Sequence, residues 1–100
     1  MDNYKSKLQS EEMDFLCDAI LTLKDKEECY RFFEDICTIN EIQSLSQRLV
    51  VAKMLKDKKT YQDISKLTGA STATISRVNR CLNYGSDGYN IVLEKLDNKE

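Results

Sequence analysis

The stretch Thr60–Leu82, TYQDISKLTGASTATISRVNRCL, decides the fold of this 100-residue chain. Its first part predicts a short helix over residues 61–68, because Thr60 is a favoured N-cap residue and apolar residues follow it at helical spacing. Ser65 is the small residue that lets this helix approach the next one. The residues predicted to face inward are Tyr61, Ile64 and Leu67.

The second part of the stretch predicts a turn and a longer helix. Gly69 lies where a tight turn requires left-handed backbone. Ser71 then caps a helix that continues to about Leu82, with Ile75 and Val78 on its inward side. Two short helices around a glycine-containing turn are typical of a helix-turn-helix, whose second helix enters the major groove of DNA.

The opposite side of the second helix carries hydroxyl, methyl and guanidinium groups. Arginine binds guanine or phosphate, hydroxyls bond to base edges or phosphates, and methyl groups contact thymine. The helix N-terminus at Ser71 adds amide donors for phosphate, and Gln62 and Lys66 of the first helix are placed for contacts with the DNA backbone. An ordinary solvated helix face is the alternative interpretation. The predicted groove-facing residues are Thr72, Ala73, Ser76, Arg77 and Arg80.

The charge distribution favours an anionic partner at this stretch. The whole chain has a net charge of −2, but residues 57–84 carry five basic and only two acidic side chains. No acidic residue lies between Gly69 and Leu82. A basic segment inside an acidic chain indicates one place where nucleic acid would bind.

The rest of the chain also predicts helices, so the fold class is all-α. Apolar residues recur at helical spacing over about 11–23, from a cap at Asp25 to about Cys37, and from a capping box at Thr38 and Glu41 to about Lys56. These helices are apolar over wide arcs, and a small chain buries only a modest fraction of its surface. We therefore expect a second copy of the chain as partner, with a compact monomer that exposes some leucines as the alternative.

Composition excludes several functional classes. The chain has no histidine, no C-x-x-C pair, no phosphate loop and no pairing of nucleophile and base, so neither an enzyme, a metal site nor a cofactor is predicted. No apolar run is long enough for a membrane span, and the N-terminus lacks the pattern of a signal peptide, so a cytoplasmic location is expected. The four cysteines, at positions 17, 29, 37 and 81, are expected to be buried thiols.

Several sequence blocks together resemble the Trp repressor superfamily, and more closely its YerC/YecD-type branch. The blocks are Leu45–Leu49 (LSQRL), Ala73–Arg77 (ATISR), and Arg80–Gly85 (RCLNYG) followed by Asp87–Tyr89 (DGY). The resemblance implies six helices that form an intertwined homodimer from one domain spanning residues 1–100. Residues 11–56 would form dimerisation helices, 60–82 the helix-turn-helix and 88–96 the C-terminal helix.

The resemblance also implies functional residues. The DNA-facing positions that match the family are Gln62, Ser65, Thr72, Ala73, Thr74 and Ser76. In the namesake repressor two arginines sandwich tryptophan, and they match Arg48 and Arg77. The glycine that makes room for the indole is Val78 here, and a serine that helps hold the ligand is Cys81. Tryptophan is therefore an unlikely effector, and Arg48 has the alternative role of pairing with an acidic residue across the dimer.

These inferences predict a homodimeric, sequence-specific regulator of transcription that binds double-stranded DNA. The alternative is a helical protein-interaction module that binds another regulator, which the acidic N-terminal segment and the modest basic charge leave open. The two are distinguished by DNA binding that depends on sequence and on salt.

Overall fold

The computed structural model describes residues 4–98 and places six helices, and no strand, in them. The all-α prediction is confirmed. The helices are α1 (Glu11–Ile20), α2 (Lys26–Ile36), α3 (Ile39–Lys56), α4 (Tyr61–Thr68), α5 (Thr72–Tyr84) and α6 (Gly88–Asp97).

Side-chain caps begin α3, α4 and α5 at the positions that the sequence predicts. The Thr38 hydroxyl accepts from the Glu41 N–H at 3.1 Å, and the Glu41 carboxylate accepts from the Thr38 N–H at 2.8 Å, which completes the capping box. Thr60 accepts from the N–H of the third helical residue of α4, and Ser71 does the same in α5. Each cap satisfies a backbone donor that has no partner inside its helix.

Two helix ends differ from the predicted ones. α1 ends at Ile20 rather than near Leu23, because the Thr22 hydroxyl donates to the Ala19 carbonyl at 2.6 Å and the last turn tightens. α5 continues two residues beyond Leu82 to Tyr84. Helical hydrogen bonding there stops at Gly85, whose N–H donates to the Cys81 carbonyl.

The chain divides into two compact units after Cys37. The N-terminal unit contains α1 and α2, and neither helix buries a residue. Phe32 and Phe33 pack edge to face, with ring centroids 5.5 Å apart. Phe15 and Leu21 are 77% and 82% exposed. This unit therefore leaves several large apolar side chains exposed.

The second unit, α3 to α6, contains the hydrophobic core. α3 packs against the other three helices, and α4 and α5 also pack against each other. The fully buried side chains interlock at this junction, where a closely packed interior tolerates little change in volume. The core residues are Val51, Ala52, Ile64, Ala70, Ile75, Val78 and Leu93.

Polar contacts tie α6 to its neighbours. The Asn90 amide donates to the Leu82 carbonyl at 3.1 Å, and its oxygen accepts from the Lys56 ammonium at 3.0 Å. Lys53 lies 3.2 Å from the Asp57 carboxylate and 3.7 Å from that of Asp97. The hydrogen bond and the negative charge of Asp57, followed by the charge of Asp97, raise the pKa of Lys53 above its ordinary value. These ion pairs are exposed and contribute little to stability.

The expectation of buried cysteines is wrong for this chain. Cys17 and Cys81 are exposed, Cys29 and Cys37 are half-buried, and all four are free thiols. Cys17 lies in the unit that buries none of its helical residues, and Cys81 lies just outside the buried side of α5. Helical spacing identified apolar positions, but it did not show how far the neighbouring helices cover them.

Candidate nucleic-acid interface

α5 has a buried arc and an exposed arc, as its sequence predicts. Ile75 and Val78 are 0% and 1% exposed, and Leu82 packs against them as a half-buried residue. Successive residues of a helix are rotated by about 100°, so the opposite side faces solvent. We call that side the exposed arc of α5. It consists of Thr72, Ala73, Ser76, Arg77 and Arg80, and all five side chains are exposed.

The electrostatic character of α5 suits a polyanion. Its exposed arc carries two guanidinium groups, and no acidic residue occurs from Gly69 to Ser86. The N-terminal amides of α5 point along the helix axis at Ser71, where the helix dipole places partial positive charge. The exposed arc of α5 therefore carries hydroxyl donors and arginines, and the N-terminus of the same helix adds amide donors.

α4 contributes the two residues predicted to contact the DNA backbone. Gln62 and Lys66 are both exposed. Ile64 is completely buried, as predicted, whereas Tyr61 is exposed, so the prediction that Tyr61 faces inward is wrong. Leu67 is 65% exposed, so the prediction that it faces inward is wrong. The buried side of α4 contains Ile64 and the half-buried Ser65 and Thr68, whose hydroxyls form hydrogen bonds to backbone carbonyls.

The turn between α4 and α5 is a closely bonded unit. Gly69 adopts the predicted left-handed conformation, with φ of 77°. The Ser65 hydroxyl donates to the Ala70 carbonyl at 2.9 Å. The Thr68 hydroxyl donates to the Ile64 carbonyl at 2.7 Å and accepts from the Ala70 N–H at 3.1 Å. Ala70 is 2% exposed, so the turn is anchored in the core as well as bonded within itself.

Three of the predicted DNA-contacting hydroxyls already have partners inside the chain. Ser65 is half-buried and donates within the turn. Ser71 accepts from the Thr74 N–H and donates to the half-buried Thr74 hydroxyl, both at 3.1 Å. Thr72 and Ser76 are exposed, and within residues 4–98 neither hydroxyl bonds to the turn or to the cap. Ser65, Ser71 and Thr74 therefore shape the site, and the free hydroxyl groups are on Thr72 and Ser76.

The four residues of the candidate effector pocket lie in different environments. Val78 fills part of the core, while Arg77 and Cys81 are exposed. Arg48 of α3 is half-buried and forms no ion pair within residues 4–98. The hydrocarbon of Val78 occupies the inner side of α5, where an indole ring would need space.

Sequence reasoning missed two amide side chains, Gln47 and Asn90. The Gln47 amide on α3 donates to the Thr68 carbonyl in the turn at 3.1 Å. Asn90 on α6 donates to the Leu82 carbonyl near the end of α5. Helical projection shows which side of a helix a residue occupies, but it does not show a hydrogen bond between helices. The only signal was the position of Gln47 beside Arg48 in the LSQRL block.

Within residues 4–98, no helix has the length and apolarity needed to cross a membrane. The same part of the chain contains no group of three or more cysteine or carboxylate side chains arranged to hold a metal ion.

Comparison with known proteins identifies the family. Residues 11–97 match the family model described as Trp repressor protein. The uncharacterized protein YerC of Bacillus subtilis (strain 168) is 62% identical over 94 residues, which cover 94% of this chain and 90% of that protein. The crystal structure of a TrpR like protein from Eubacterium eligens ATCC 27750 is 63% identical, with a TM-score of 0.88, and the match covers 94% of this chain and 97% of that chain.

A second crystal structure, from Staphylococcus aureus, is 57% identical, with a TM-score of 0.87 over 93% of each chain. The sequence matches and the structural matches agree over nearly the whole length of the chain. The chain therefore belongs to the Trp repressor family, in its YerC-type branch.

Proposed function

We propose that this protein is a sequence-specific DNA-binding regulator of transcription that acts as a homodimer, with α4 and α5 as its DNA-binding helix-turn-helix. The observation that carries the proposal is the division of α5 into a buried arc and an exposed, acid-free arc. Membership in the Trp repressor family supports it. Residues 11–56 and α6 would form the dimer, and residues 60–82 would bind DNA.

The exposed arc of α5 has the chemistry needed to discriminate between bases. Thr72 and Ser76 can donate to or accept from base edges, the Ala73 methyl can contact thymine, and the two arginines can bind guanine or phosphate. Lys66, Gln62 and the N-terminal amides of α5 would bind phosphates and fix the position of the protein on the duplex.

A second copy of the chain would cover the apolar surface that one chain leaves exposed. Leu45 and Val50 on α3 are 45% and 46% exposed, and Ile91 and Leu96 on α6 are 51% and 52% exposed. Covering them would remove apolar surface from water and add two-fold symmetry. The two α5 helices would then bind half-sites about one helical turn, or ~34 Å, apart, or somewhat less if the helices are tilted.

Selection of bound sequences from a pool of random duplexes tests the proposal directly. We expect an approximately palindromic site whose affinity falls steeply as salt concentration rises. Lys66→Ala should weaken binding to every duplex and reduce the salt dependence by about one charge per subunit. Lys7→Ala, at an exposed position before α1, removes the same charge outside the proposed dimer and DNA-binding segments and is the matched control.

Substitutions on the exposed arc should act differently from loss of charge. Thr72→Ala and Ser76→Ala should change the preference between bases by roughly 1–3 kcal/mol for each lost contact, with the salt dependence unchanged. Ser86→Ala, beyond the end of α5, is the control. A footprint that does not change on substitution of Thr72, Ser76 and Arg80 would show that α5 is not the DNA-reading helix. Absence of any preferred duplex would favour the protein-interaction module instead.

A further inference from the structure

Gln47 joins the central helix α3 to the turn of the DNA-binding pair. Its amide nitrogen lies 3.1 Å from the carbonyl oxygen of Thr68, the last residue of α4, and the bond is half-buried. Within residues 4–98, no other side-chain hydrogen bond links α3 to the segment from α4 to α5. The contact spans 21 positions of sequence, so it is a tertiary contact and not part of a helix cap.

The remaining contact between α3 and this pair is hydrophobic. Val51 and Ala52 of α3 pack in one cluster with Ile64, Ile75 and Val78. Hydrophobic burial has little directionality, whereas a hydrogen bond weakens steeply as its angle departs from linear. The hydrophobic cluster therefore holds the pair against α3, and the Gln47 bond adds the directional side-chain contact between them.

The hydrogen bonds inside the turn connect Thr68, which Gln47 contacts, to the start of α5. Ser65, Thr68 and Ala70 bond to one another and to Ile64, so α4 and the start of α5 move together. At the other end, Asn90 of α6 holds the Leu82 carbonyl. A displacement at Thr68 would therefore also move the start of α5, to which the turn is bonded.

We propose that Gln47 is a positioning residue that sets the angle of α5 relative to α3 and thereby the selectivity of DNA binding. The inference rests on the proposed function for its effect on DNA, and on the Gln47–Thr68 contact alone for its effect on helix orientation. Because Gln47 precedes Arg48 on α3, any movement of α3 at Arg48 would also move the turn.

The first test measures orientation without DNA. Gln47→Met keeps the length of the side chain and removes the donor, and Gln43→Met makes the same change at an exposed position of α3. Residual dipolar couplings of the folded protein should show α5 rotated relative to α3 in Gln47→Met, together with a shifted amide nitrogen resonance at Gly69. Gln43→Met should match the wild type. Identical couplings in all three proteins would overturn the inference, whatever the protein does with DNA.

The second test measures selectivity. The ratio of affinities for the selected duplex and for a random duplex should fall roughly tenfold in Gln47→Met, the scale of one lost hydrogen bond. Affinity for the random duplex and its salt dependence should not change, because no charge is lost. Equal losses on both duplexes would mean that Gln47 supports stability alone. If the wild type itself prefers no duplex, the proposed function fails, and the orientation measurement still decides the role of Gln47.

A pH profile separates positioning from packing. In Gln47→Glu a protonated carboxyl can donate to the Thr68 carbonyl, whereas the carboxylate cannot. That bond favours the neutral acid and raises its pKa above the ordinary value of about 4.3. Selectivity of Gln47→Glu, measured relative to Gln47→Met at each pH, should therefore be greater at pH 5 and be lost as pH rises toward 8. A ratio that stays constant over this range would contradict the proposed hydrogen bond.

Discussion

Val78 determines what the inner side of α5 can hold. It is 1% exposed and packs in the core, and its branched side chain cannot move aside easily. We therefore expect calorimetry to detect no micromolar binding of tryptophan, and we expect tryptophan to leave DNA affinity unchanged. A tenfold gain in DNA affinity on adding tryptophan would contradict this interpretation of Val78.

Val78→Gly provides the complementary experiment at the same position. Loss of the side chain, together with glycine inside a helix, should destabilise the protein by roughly 3 kcal/mol, so binding must be measured at low temperature. The variant would have a cavity on the inner side of α5, and weak indole binding by the variant alone would indicate that Val78 closes the site. Val92→Gly on α6, where the side chain is 45% exposed, is the control for glycine in a helix.

Individual residues were predictable where local chemistry decides their role. Thr38, Thr60 and Ser71 cap helices because a hydroxyl beside unpaired backbone amides has one favourable use. Leu67 and the cysteines were not predictable, because their exposure depends on how far the neighbouring helices extend. The hydrogen bond of Ser65 within the turn was not predictable, because it depends on the positions of two helices.

At the scale of helices, Gly85 sets the end of α5 and the start of the connection to α6. A Cβ atom added to Gly85 would lie 2.5 Å from the Cys81 carbonyl oxygen, whereas one added to Gly88 would meet nothing within 4 Å. Gly85→Ala should therefore lower the melting temperature by several degrees, because backbone must shift to relieve the contact. Gly88→Ala, at the first position of α6, should be neutral or slightly stabilising. Equal melting temperatures for the two variants would contradict the close contact at Gly85.

Apolar spacing and capping residues predicted α1 to α5, and the family resemblance predicted α6; the helix ends were predictable to within about three residues. Capping residues and glycine fixed α3, α4 and the start of α5 closely. The end of α1 was misplaced because the Thr22 hydroxyl competes for a backbone carbonyl there, an effect that apolar spacing does not show. Apolar spacing could not predict the hydrogen bonds that Gln47 and Asn90 form between helices.

At the scale of the whole molecule, we expect folding and dimerisation to be a single transition. Neither α1 nor α2 buries a residue, and α3 and α6 leave apolar side chains half exposed. The melting temperature should accordingly rise with protein concentration, because association stabilises only the folded chains. Sedimentation that detects a folded monomer at micromolar concentration, or a melting temperature independent of concentration, would contradict the prediction. The homodimer stays a prediction from apolar surface and family resemblance.

The separation of the two arcs of α5 affects how such a protein can change during evolution. Ile75 and Val78 hold the helix in the core, while Thr72, Ala73 and Ser76 are exposed. Under the proposed function, substitutions at the exposed positions change which operator is bound at almost no cost in folding free energy, since exposed substitutions are usually within about 0.5 kcal/mol of neutral. A duplicated gene can therefore acquire a new set of targets in a few steps, and a library randomised at these three positions should consist mainly of folded proteins with altered operators.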